Sequence, residues 1–374
     1  MYLHYPTLFK LIRLTFSKRY FSWRHTLFVV LFLPPFFILR VFVWGMRKLD
    51  YLFFFGFTRQ QINKPLYIIG NPRSGTTFSH RLLALDEQFC YLRLYHTVFP
   101  SVTCYKIFAL FGRVDSLLGG CGKRLLHAIS ARGFKGWETI HPTGPEKAES
   151  DEMYFMYAML SPNLGLLFPF LKEMDAATFV DFLPEKSRKK LMKYYYSCLQ
   201  RHLYAEGPDK ILLQKVALIA GRIGTIYELL PDIRVVHLVR HPYQSIPSLV
   251  SMFDTTWKTL APEACRNGQA YVDLTDMICD YYEHLHEFEK NLPAENLLKI
   301  RYEDLLADPY GVVAGIYEKF DLELGPAYDK VLQQQVEKAK SYQSRHSYSL
   351  ENYGVSEELI KNRLKTVFDD YGFS

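Results

Sequence analysis

The residues best suited to bind an anion form one short segment bounded by glycines. It reads Gly70-Asn71-Pro72-Arg73-Ser74-Gly75-Thr76-Thr77 and lies between an apolar run typical of a strand and a stretch with helical spacing. Successive backbone N–H groups in such a turn, with the positive end of the following helix, form a cradle for a phosphate-like anion. An ordinary strand-to-helix turn would not require this composition. We therefore predict an anion site formed by Arg73, Ser74, Gly75, Thr76 and Thr77.

The same segment departs from the common P-loop at one informative position. The pattern G-x-x-x-x-G-K-[ST] contains a lysine that reaches the β- and γ-phosphates of a nucleotide, and Thr76 stands in its place. The nearest cation is Arg73, two residues before the second glycine. This arrangement disfavours an ATPase or GTPase and indicates a ligand that places fewer phosphates in the loop.

A second group of residues with anion-binding chemistry follows another predicted strand. The segment Val235-Val236-His237-Leu238-Val239-Arg240-His241-Pro242 runs from strand to turn, and Ser248 follows Arg240 by eight residues. Arginine offers a planar fork of donors for phosphate oxygens, and serine adds a short donor from the next helix. We predict that Arg240 and Ser248 bind a second phosphate.

Both motifs resemble those of the sulfotransferases that use 3′-phosphoadenosine 5′-phosphosulfate (PAPS). In that family the loop P-[KR]-S-G-T-T holds the 5′-phosphosulfate, and an arginine at a strand end binds the 3′-phosphate together with a serine on the following helix. The resemblance extends over residues 65–350 and is greatest to the divergent branch common among bacterial and membrane-associated members. It implies PAPS as co-substrate, no metal, and transfer of a sulfuryl group to a hydroxyl.

Two further matches are less specific. Arg301-Tyr302-Glu303-Asp304 is similar to the family's Y-E-D segment, which implies that Tyr302 lies near the adenine. Glu303 and Asp304 could instead cap the next helix. The segment 344–350 resembles a loop that closes over the 3′-phosphate in many relatives, so Arg345 is a further cofactor-binding candidate unless the loop is simply solvated.

Sulfuryl transfer requires a base for the acceptor proton and a cation for the charge on the leaving oxygen. Arg73 and Lys215 are the predicted cations. Cytosolic relatives carry K-x-H with a catalytic histidine, but this chain has Lys215-Val216-Ala217. Tyrosylprotein sulfotransferases use a glutamate where this chain has Leu92-Arg93-Leu94. Neither base can be carried over.

An acidic segment at 138–152 is the alternative source of a base. It resembles the H-P-x-G…E-[ED]-E stretch of the divergent branch, and we favour Glu149 or His141 as the proton acceptor, with the other orienting it or the substrate. A competing interpretation is that the acids of this segment favour the first turn of the following helix, where negative charge is stabilised. They are Glu146, Glu149, Asp151 and Glu152.

The elements that must position these motifs alternate between strand and helix. Strands are predicted at 66–69, 211–213, 234–239 and 297–302, and the helices that follow them at 77–85, 221–230, 243–253 and 311–320. Such alternation indicates an α/β fold with a P-loop-like central parallel sheet flanked by helices. A helical insertion is expected at about 90–205, and a membrane-associated helical segment is expected at the N-terminus.

Charge separates the N-terminal segment from the rest of the chain. Residues 1–60 carry nine basic side chains and one acid, a net +8 that leaves −2 for the remainder of a chain whose total is +6. A general nucleic-acid-binding surface would need basic groups on the folded domain, so this distribution argues against one. We expect a membrane-associating segment at 1–60 and a catalytic domain at 61–374.

The apolar run 27–39 is too short to cross a bilayer, which needs about 20 residues, and Pro34-Pro35 should break or sharply kink a helix there. Basic residues on both flanks, with Trp23 and Trp44 near the ends, favour an interfacial anchor. Two helices packed on the globular domain, or a true span with Arg40 snorkelling, are the other interpretations.

A membrane-held enzyme would meet lipid-borne hydroxyls, so the expected acceptor is a glycolipid, a sterol-like molecule or another amphiphilic alcohol. The aromatic runs Tyr154-Phe155-Met156-Tyr157 and Tyr194-Tyr195-Tyr196 either line an apolar cleft for it or belong to the core. No N-x-[ST] sequon occurs in the sequence, and the expected location is the cytoplasmic face of a bacterial inner membrane.

Two other functions remain open from the sequence. One is a P-loop kinase-like phosphotransferase that uses ATP with Mg²⁺, which the missing P-loop lysine disfavours. The other is a membrane-attached nucleotide-binding protein without catalysis, which the missing K-x-H histidine supports.

Overall fold

The computed structural model describes residues 1–120, 122, 147–266, 268–340 and 350–373. Within these residues, five parallel strands form one sheet with the order β2-β3-β1-β4-β5. The strands are β1 Leu66–Gly70, β2 Phe89–Tyr91, β3 Ile211–Val216, β4 Arg234–Val239 and β5 Leu297–Arg301.

The described α-helices fall into three groups along the chain. Before and inside the helical insertion they are α1 Tyr5–Thr15, α2 Trp23–Phe53, α3 Thr76–Leu83, α4 Leu94–Val98, α5 Val102–Leu117, α6 Glu152–Ala158, α7 Leu164–Leu167, α8 Asp175–Thr178 and α9 Glu185–Glu206. Between the later strands they are α10 Ile223–Leu229, α11 Pro242–Leu260 and α12 Gln269–Lys290. After β5 they are α13 Tyr302–Ala307, α14 Pro309–Lys319, α15 Pro326–Lys340, α16 Glu357–Arg363 and α17 Lys365–Tyr371.

The predicted α/β fold with a central parallel sheet is confirmed. The inner strands β1 and β4 are buried at every residue, because helices cover both faces of the sheet, and this explains their nearly continuous apolar sequences. All four predicted strands are present. The edge strand β2 was not predicted, since three residues are too few to show a periodic pattern.

The sheet topology determines where a ligand can bind. The chain leaves β1 towards β2 on one side and leaves β4 towards β5 on the other, so the connections diverge above the adjacent strands β1 and β4. Such a switch point leaves a crevice at the carboxyl ends of the strands, where α/β proteins bind ligands. Both predicted anion motifs begin at this place.

The N-terminal helices differ from the sequence-based expectation. The pair Pro34-Pro35 neither ends α2 nor divides it, and the helix continues for 31 residues. Each proline removes one helical hydrogen bond, but Val29 and Phe36 on either side of the pair are buried against the domain, and the Phe36 ring lies 5.8 Å from that of Tyr157. Tertiary packing therefore holds the helix together where the local sequence disfavours it.

One face of α2 packs on the domain, and the opposite face is exposed. Its buried positions include Val29, Phe36 and Val43, which join an apolar cluster with α1 and with residues around α6 to α8. Among the described residues, α2 is also the one helix long and apolar enough to cross a membrane, by length and composition.

The two aromatic runs of the insertion belong mainly to the core. Tyr154, Phe155, Tyr157 and Tyr195 are each almost completely buried, and Tyr194 is nearly so. The interpretation that these runs line an acceptor cleft is therefore wrong for these rings. Tyr154, Phe155, Tyr194 and Tyr195 pack in the core cluster beside the sheet, and Tyr157 packs on α2.

Candidate active site

The glycine loop connects β1 to α3 with a backbone that only particular residues allow. Gly75 immediately precedes α3 and has a φ of +85°, and a Cβ at this position would lie 2.8 Å from Leu305 Cδ2 and 3.1 Å from Tyr302 Cδ2. Arg73 also has a positive φ, +70°, which costs a non-glycine residue about 1–2 kcal/mol. Helix α3 begins at Thr76, so the N–H groups of Thr76 and Thr77 have no acceptor in a preceding turn, whereas those of Phe78 and Ser79 donate to Gly75 O.

A buried hydroxyl in the loop fits an anion. Ser74 is fully buried, and its Oγ has no hydrogen-bond partner among the described residues. An unsatisfied buried polar group costs about 1–3 kcal/mol, which an acceptor such as a phosphate oxygen would recover. Together with the helix N-terminus, this loop has the chemistry of the predicted anion cradle.

The structure brings the two predicted anion motifs into direct contact. Arg73 Nε donates a hydrogen bond of 3.1 Å to Ser248 Oγ on α11, and Arg240, just after β4, donates through Nη1 to the backbone oxygen of Arg73. Ser245 Oγ, also on α11, donates to the oxygen of Pro72 over 2.7 Å. Burial lowers the pKa of the Arg240 guanidinium, and a phosphate beside it would favour its charged form.

Tyr302 lies at the same place. The guanidinium carbon of Arg240 is 4.0 Å from the centroid of the Tyr302 ring, which also lies close to Gly75. Glu303 and Asp304 are exposed in the first turn of α13, and the N-cap residue Arg301 makes no side-chain capping hydrogen bond. Of the Y-E-D segment, the tyrosine is thus the residue that reaches the loop.

A buried lysine and carboxylate lie on the other side of the loop. Lys215, on β3, is 3% exposed, and its Nζ lies 3.7 Å from Glu149 Oε2 and 3.5 Å from Thr77 Oγ1. Burial lowers the pKa of Lys215, and the nearby Glu149 carboxylate offsets only part of this shift. Glu149 is held by its backbone, since its N–H donates to Leu92 O over 2.8 Å beyond the end of β2.

The acidic segment therefore divides into two functions. Asp151 accepts a 2.5 Å hydrogen bond from Tyr195 and precedes α6, and burial raises its pKa to about 6. Glu152, in the first turn of α6, is bonded to Arg222 and Ser161. These two acids hold the insertion to the domain, whereas Glu149 faces Lys215 at the loop.

Sequence reasoning did not identify His80. This residue follows Thr76 by four positions, which places it one turn along the same face of α3, and it is fully buried with no hydrogen-bond partner for either ring nitrogen among the described residues. Burial, with smaller contributions from Lys215 and Arg81, lowers its pKa well below the usual value, so the ring is neutral. Its spacing from the threonines was the available signal.

Two predicted site residues, His141 and Arg345, lie outside the described residues. Among the residues that are described, no group of three or more His, Cys, Asp or Glu side chains is arranged to hold a metal ion.

Comparison with known proteins finds similarity to sulfotransferases in both sequence and structure. The omega-hydroxy-beta-dihydromenaquinone-9 sulfotransferase Stf3 of Mycobacterium bovis is 21% identical over 318 residues, which cover 83% of this chain and 75% of the relative. The corresponding Stf3 protein of Mycobacterium tuberculosis gives the same values.

Two crystal structures share the fold. Sulfotransferase STF1 from Mycobacterium tuberculosis H37Rv superposes with a TM-score of 0.68 at 18% identity, covering 97% of this chain and 92% of that one. Sulfotransferase STF9 from Mycobacterium avium gives 0.72 at 17% identity, with coverage of 87% and 81%. The sequence profile described as the sulfotransferase family matches residues 65–326, which include the glycine loop, Glu149, Lys215, Arg240 and Tyr302. Because this match covers well over half of the sequence, the chain belongs to the sulfotransferase family.

Proposed function

We propose that this protein transfers the sulfuryl group of PAPS to a hydroxyl of a lipid-like or glycan-bearing acceptor. The observation that carries the proposal is the contact between the two anion motifs, through Arg73 to Ser248 and Arg240 to the Arg73 backbone. Two phosphate-binding groups this close together can bind opposite ends of one small nucleotide. Family membership supplies the reaction class.

The binding roles follow from position. The N–H groups of the loop, the hydroxyls of Ser74, Thr76 and Thr77, and the helix end at Gly75 would hold the 5′-phosphosulfate. Arg240 and Ser248 would hold the 3′-phosphate, and Tyr302, beside Arg240, would contact the adenosine. Arg345, outside the described residues, stays a prediction for the 3′-phosphate.

The chemical roles fall to the buried pair and to Arg73. PAPS would supply the sulfuryl group, whose bond to the 5′-phosphate oxygen breaks as a bond to the acceptor oxygen forms in line. Glu149 takes the proton from the acceptor hydroxyl, and Lys215 and Arg73 stabilise the negative charge on the leaving phosphate oxygen. Glu149 is placed for this role because its carboxylate lies 3.7 Å from Lys215, which also reaches the loop hydroxyl of Thr77, and because its backbone is bonded to Leu92. His141 remains the alternative base.

The proposed acceptor is an amphiphilic alcohol presented by a membrane. A relative acts on an omega-hydroxylated dihydromenaquinone, which is a lipid with a terminal hydroxyl. The basic N-terminal segment and the apolar outer face of α2 are consistent with attachment to the cytoplasmic face of a bacterial inner membrane. The missing P-loop lysine disfavours the ATP-dependent kinase. The missing K-x-H histidine supports a non-catalytic protein, but the buried Lys215–Glu149 pair offers a cation and a base in its place, so we prefer the enzyme.

Two measurements on the full chain test the proposal. In a thermal-shift comparison, adenosine 3′,5′-bisphosphate should stabilise the protein more than adenosine 5′-monophosphate or ATP with Mg²⁺, because only the first ligand has the 3′-phosphate. Labelled sulfate should then pass from PAPS to a lipid extract. Preference for ATP with Mg²⁺ would favour the kinase, and bisphosphate binding without transfer to any lipid or glycan fraction would favour a non-catalytic protein.

A further inference from the structure

Two neighbouring helices present apolar side chains at the surface. On α2 the outward positions include Leu31, Ile38, Val41, Trp44 and Leu52. On α5 the outward positions Ile107, Leu110, Phe111, Val114 and Leu117 recur at the three- and four-residue spacing of one helix face. Phe111 is 67% exposed and Leu117 is 86% exposed. Single exposed apolar residues are ordinary, but a contiguous group of this size marks an interaction surface.

These two helices pack against each other, so their exposed faces adjoin. The Phe42 ring of α2 lies 6.3 Å from Phe99, which in turn lies 5.1 Å from Phe108 of α5. Asp50, near the end of α2, accepts a 2.8 Å hydrogen bond from the N–H of Thr103 at the start of α5. We call the exposed apolar residues of α2 and α5 named above the α2–α5 face.

The charges beside this face indicate which kind of partner it contacts. Exposed cations occur on the same elements, and they are Arg13, Lys18, Arg19, Arg24 and Lys48 of the N-terminal segment with Lys106 and Arg113 of α5. Of these, Arg19 pairs with Glu173, and the one acid of α5, Asp115, is half-buried and accepts from the N–H of Gly122. The one acid of residues 1–60, Asp50, is fully buried. Apolar side chains with tryptophan and cations at their borders match the interface of a bilayer that contains anionic lipids.

Contacts along α2 determine how this helix can meet a bilayer. At 31 residues it is about 45 Å long, and it is bonded to the domain near both ends and between them. The His25 ring is 2.8 Å from Leu167 O, Arg40 Nε donates to Tyr157 O over 3.1 Å, and Asp50 pairs with Arg201 at 2.7 Å. The Asp50 and Arg201 side chains are buried, so separating them would leave an uncompensated charge. A helix attached in this way could cross a bilayer only if these hydrogen bonds and this ion pair were broken.

We propose that the α2–α5 face docks on a membrane containing anionic lipids, with α2 lying in the plane of the interface instead of crossing it. Helix α5, far outside the basic N-terminal segment, is thus the second half of the membrane-binding surface. This proposal stands on exposure, charge and packing, and it does not depend on the reaction.

The position of α5 also relates the membrane to the active site, a step that rests on the proposed function. Tyr95 packs on Phe108 of α5 with ring centroids 6.1 Å apart, and Arg93, two residues earlier, pairs with Ala148 beside Glu149. The segment from Arg93 to Tyr95 therefore connects the backbone beside the proposed base to the membrane-facing helix. An acceptor with its tail in the bilayer would reach Glu149 from this side.

Vesicle binding tests the docking surface. The full chain should sediment with phosphatidylcholine vesicles that contain phosphatidylglycerol, and less with phosphatidylcholine alone. The double variant Phe111→Asp with Leu117→Asp should bind at least roughly tenfold more weakly, because two charges replace inserted apolar side chains. The matched control is Leu306→Asp, since Leu306 is 57% exposed but lies on α13, which follows β5 at the opposite edge of the sheet from β2. Its binding should equal that of the wild-type protein.

Equal binding by the double variant and the wild-type protein, or no binding by the wild-type protein, would overturn the proposal. A dimer that forms in lipid-free buffer through Phe111 without vesicle binding would assign the face to a second copy instead. Adenosine 3′,5′-bisphosphate binding and circular dichroism check that the double variant folds. A wild-type protein that binds vesicles but transfers no sulfate would count against the proposed function alone.

Cysteine labelling tests the orientation of α2 with one substitution near each end of the helix. Trp23 and Leu52 lie near opposite ends of the helix and are 69% and 72% exposed. In sealed membrane vesicles from cells expressing Trp23→Cys or Leu52→Cys, a membrane-impermeant maleimide should reach both positions from the same side, above the background of the parent chain. Labelling of the two positions from opposite sides would show a spanning helix and refute the in-plane arrangement.

Discussion

The role of Ser248 allows a sharp prediction about the nucleotide. Its side chain is 6% exposed and its Oγ accepts from Arg73 at 3.1 Å, within the contact that joins the two anion motifs. In the proposed function this hydroxyl donates to the 3′-phosphate. A hydrogen bond to a charged group contributes about 1.5–3 kcal/mol, so Ser248→Ala should weaken binding of adenosine 3′,5′-bisphosphate about 10- to 150-fold. Adenosine 5′-monophosphate, which lacks the 3′-phosphate, should bind the variant and the wild-type protein alike.

Ser245 is the matched control, because it lies on the same helix, is fully buried and contacts the same loop. Its hydroxyl donates to Pro72 O over 2.7 Å and therefore holds the loop itself. Ser245→Ala should lower the free energy of unfolding by about 1 kcal/mol and weaken both ligands by the same factor.

The assay is calorimetric titration of both ligands into the wild-type protein and the two serine variants. The readout is the affinity for adenosine 3′,5′-bisphosphate divided by the affinity for adenosine 5′-monophosphate. Ser248→Ala should lower this ratio, and Ser245→Ala should leave it unchanged. If Ser248→Ala left the ratio unchanged, Ser248 would not bind the 3′-phosphate, and the nucleotide could not lie as proposed.

Three further predictions concern the buried acids. Glu149→Gln should lower turnover at least about 100-fold with bisphosphate affinity unchanged, whereas Glu152→Gln should keep turnover and lose stability; normal turnover of the first variant would remove Glu149 as base. Asp50→Ala should lower the free energy of urea unfolding by about 3–5 kcal/mol, because it leaves the buried Arg201 unpaired. Glu173→Ala, which removes exposed ion pairs with Lys10 and Arg19, should lower it by less than about 1 kcal/mol. Equal losses would show that the Asp50–Arg201 pair does not stabilise the fold more than an exposed pair does. Burial raises the pKa of Asp151 from 3.8 to about 6, so the folded protein retains a proton that the unfolded chain releases. The free energy of unfolding of the wild-type protein should therefore fall relative to that of Asp151→Asn as pH rises from about 4 to about 6. If urea unfolding showed that it rises instead, folding would lower the pKa of Asp151, contrary to the prediction.

Helix α2 illustrates how local sequence can mislead about a helix. Pro34-Pro35 made a broken segment the natural expectation, yet α2 continues through both prolines because Val29 and Phe36 pack on the domain. Similarly, aromatic runs that could have lined a cleft are buried under α6 and α9. In both cases packing partners from distant parts of the chain outweighed the local pattern.

The sequence by itself determined the parts of this protein whose chemistry is local. Glycine, hydroxyl and arginine spacing between a strand and a helix identified both anion motifs, and the alternation of elements identified the parallel sheet, because backbone turns and strand burial depend on neighbouring residues. Only the tertiary structure decided which acid of the segment faces Lys215 in the candidate site. Glu149 lies 3.7 Å from Lys215, while Asp151 and Glu152 are bonded elsewhere, and residues this close in sequence differ only through partners that folding brings from β3, α9 and the start of α10.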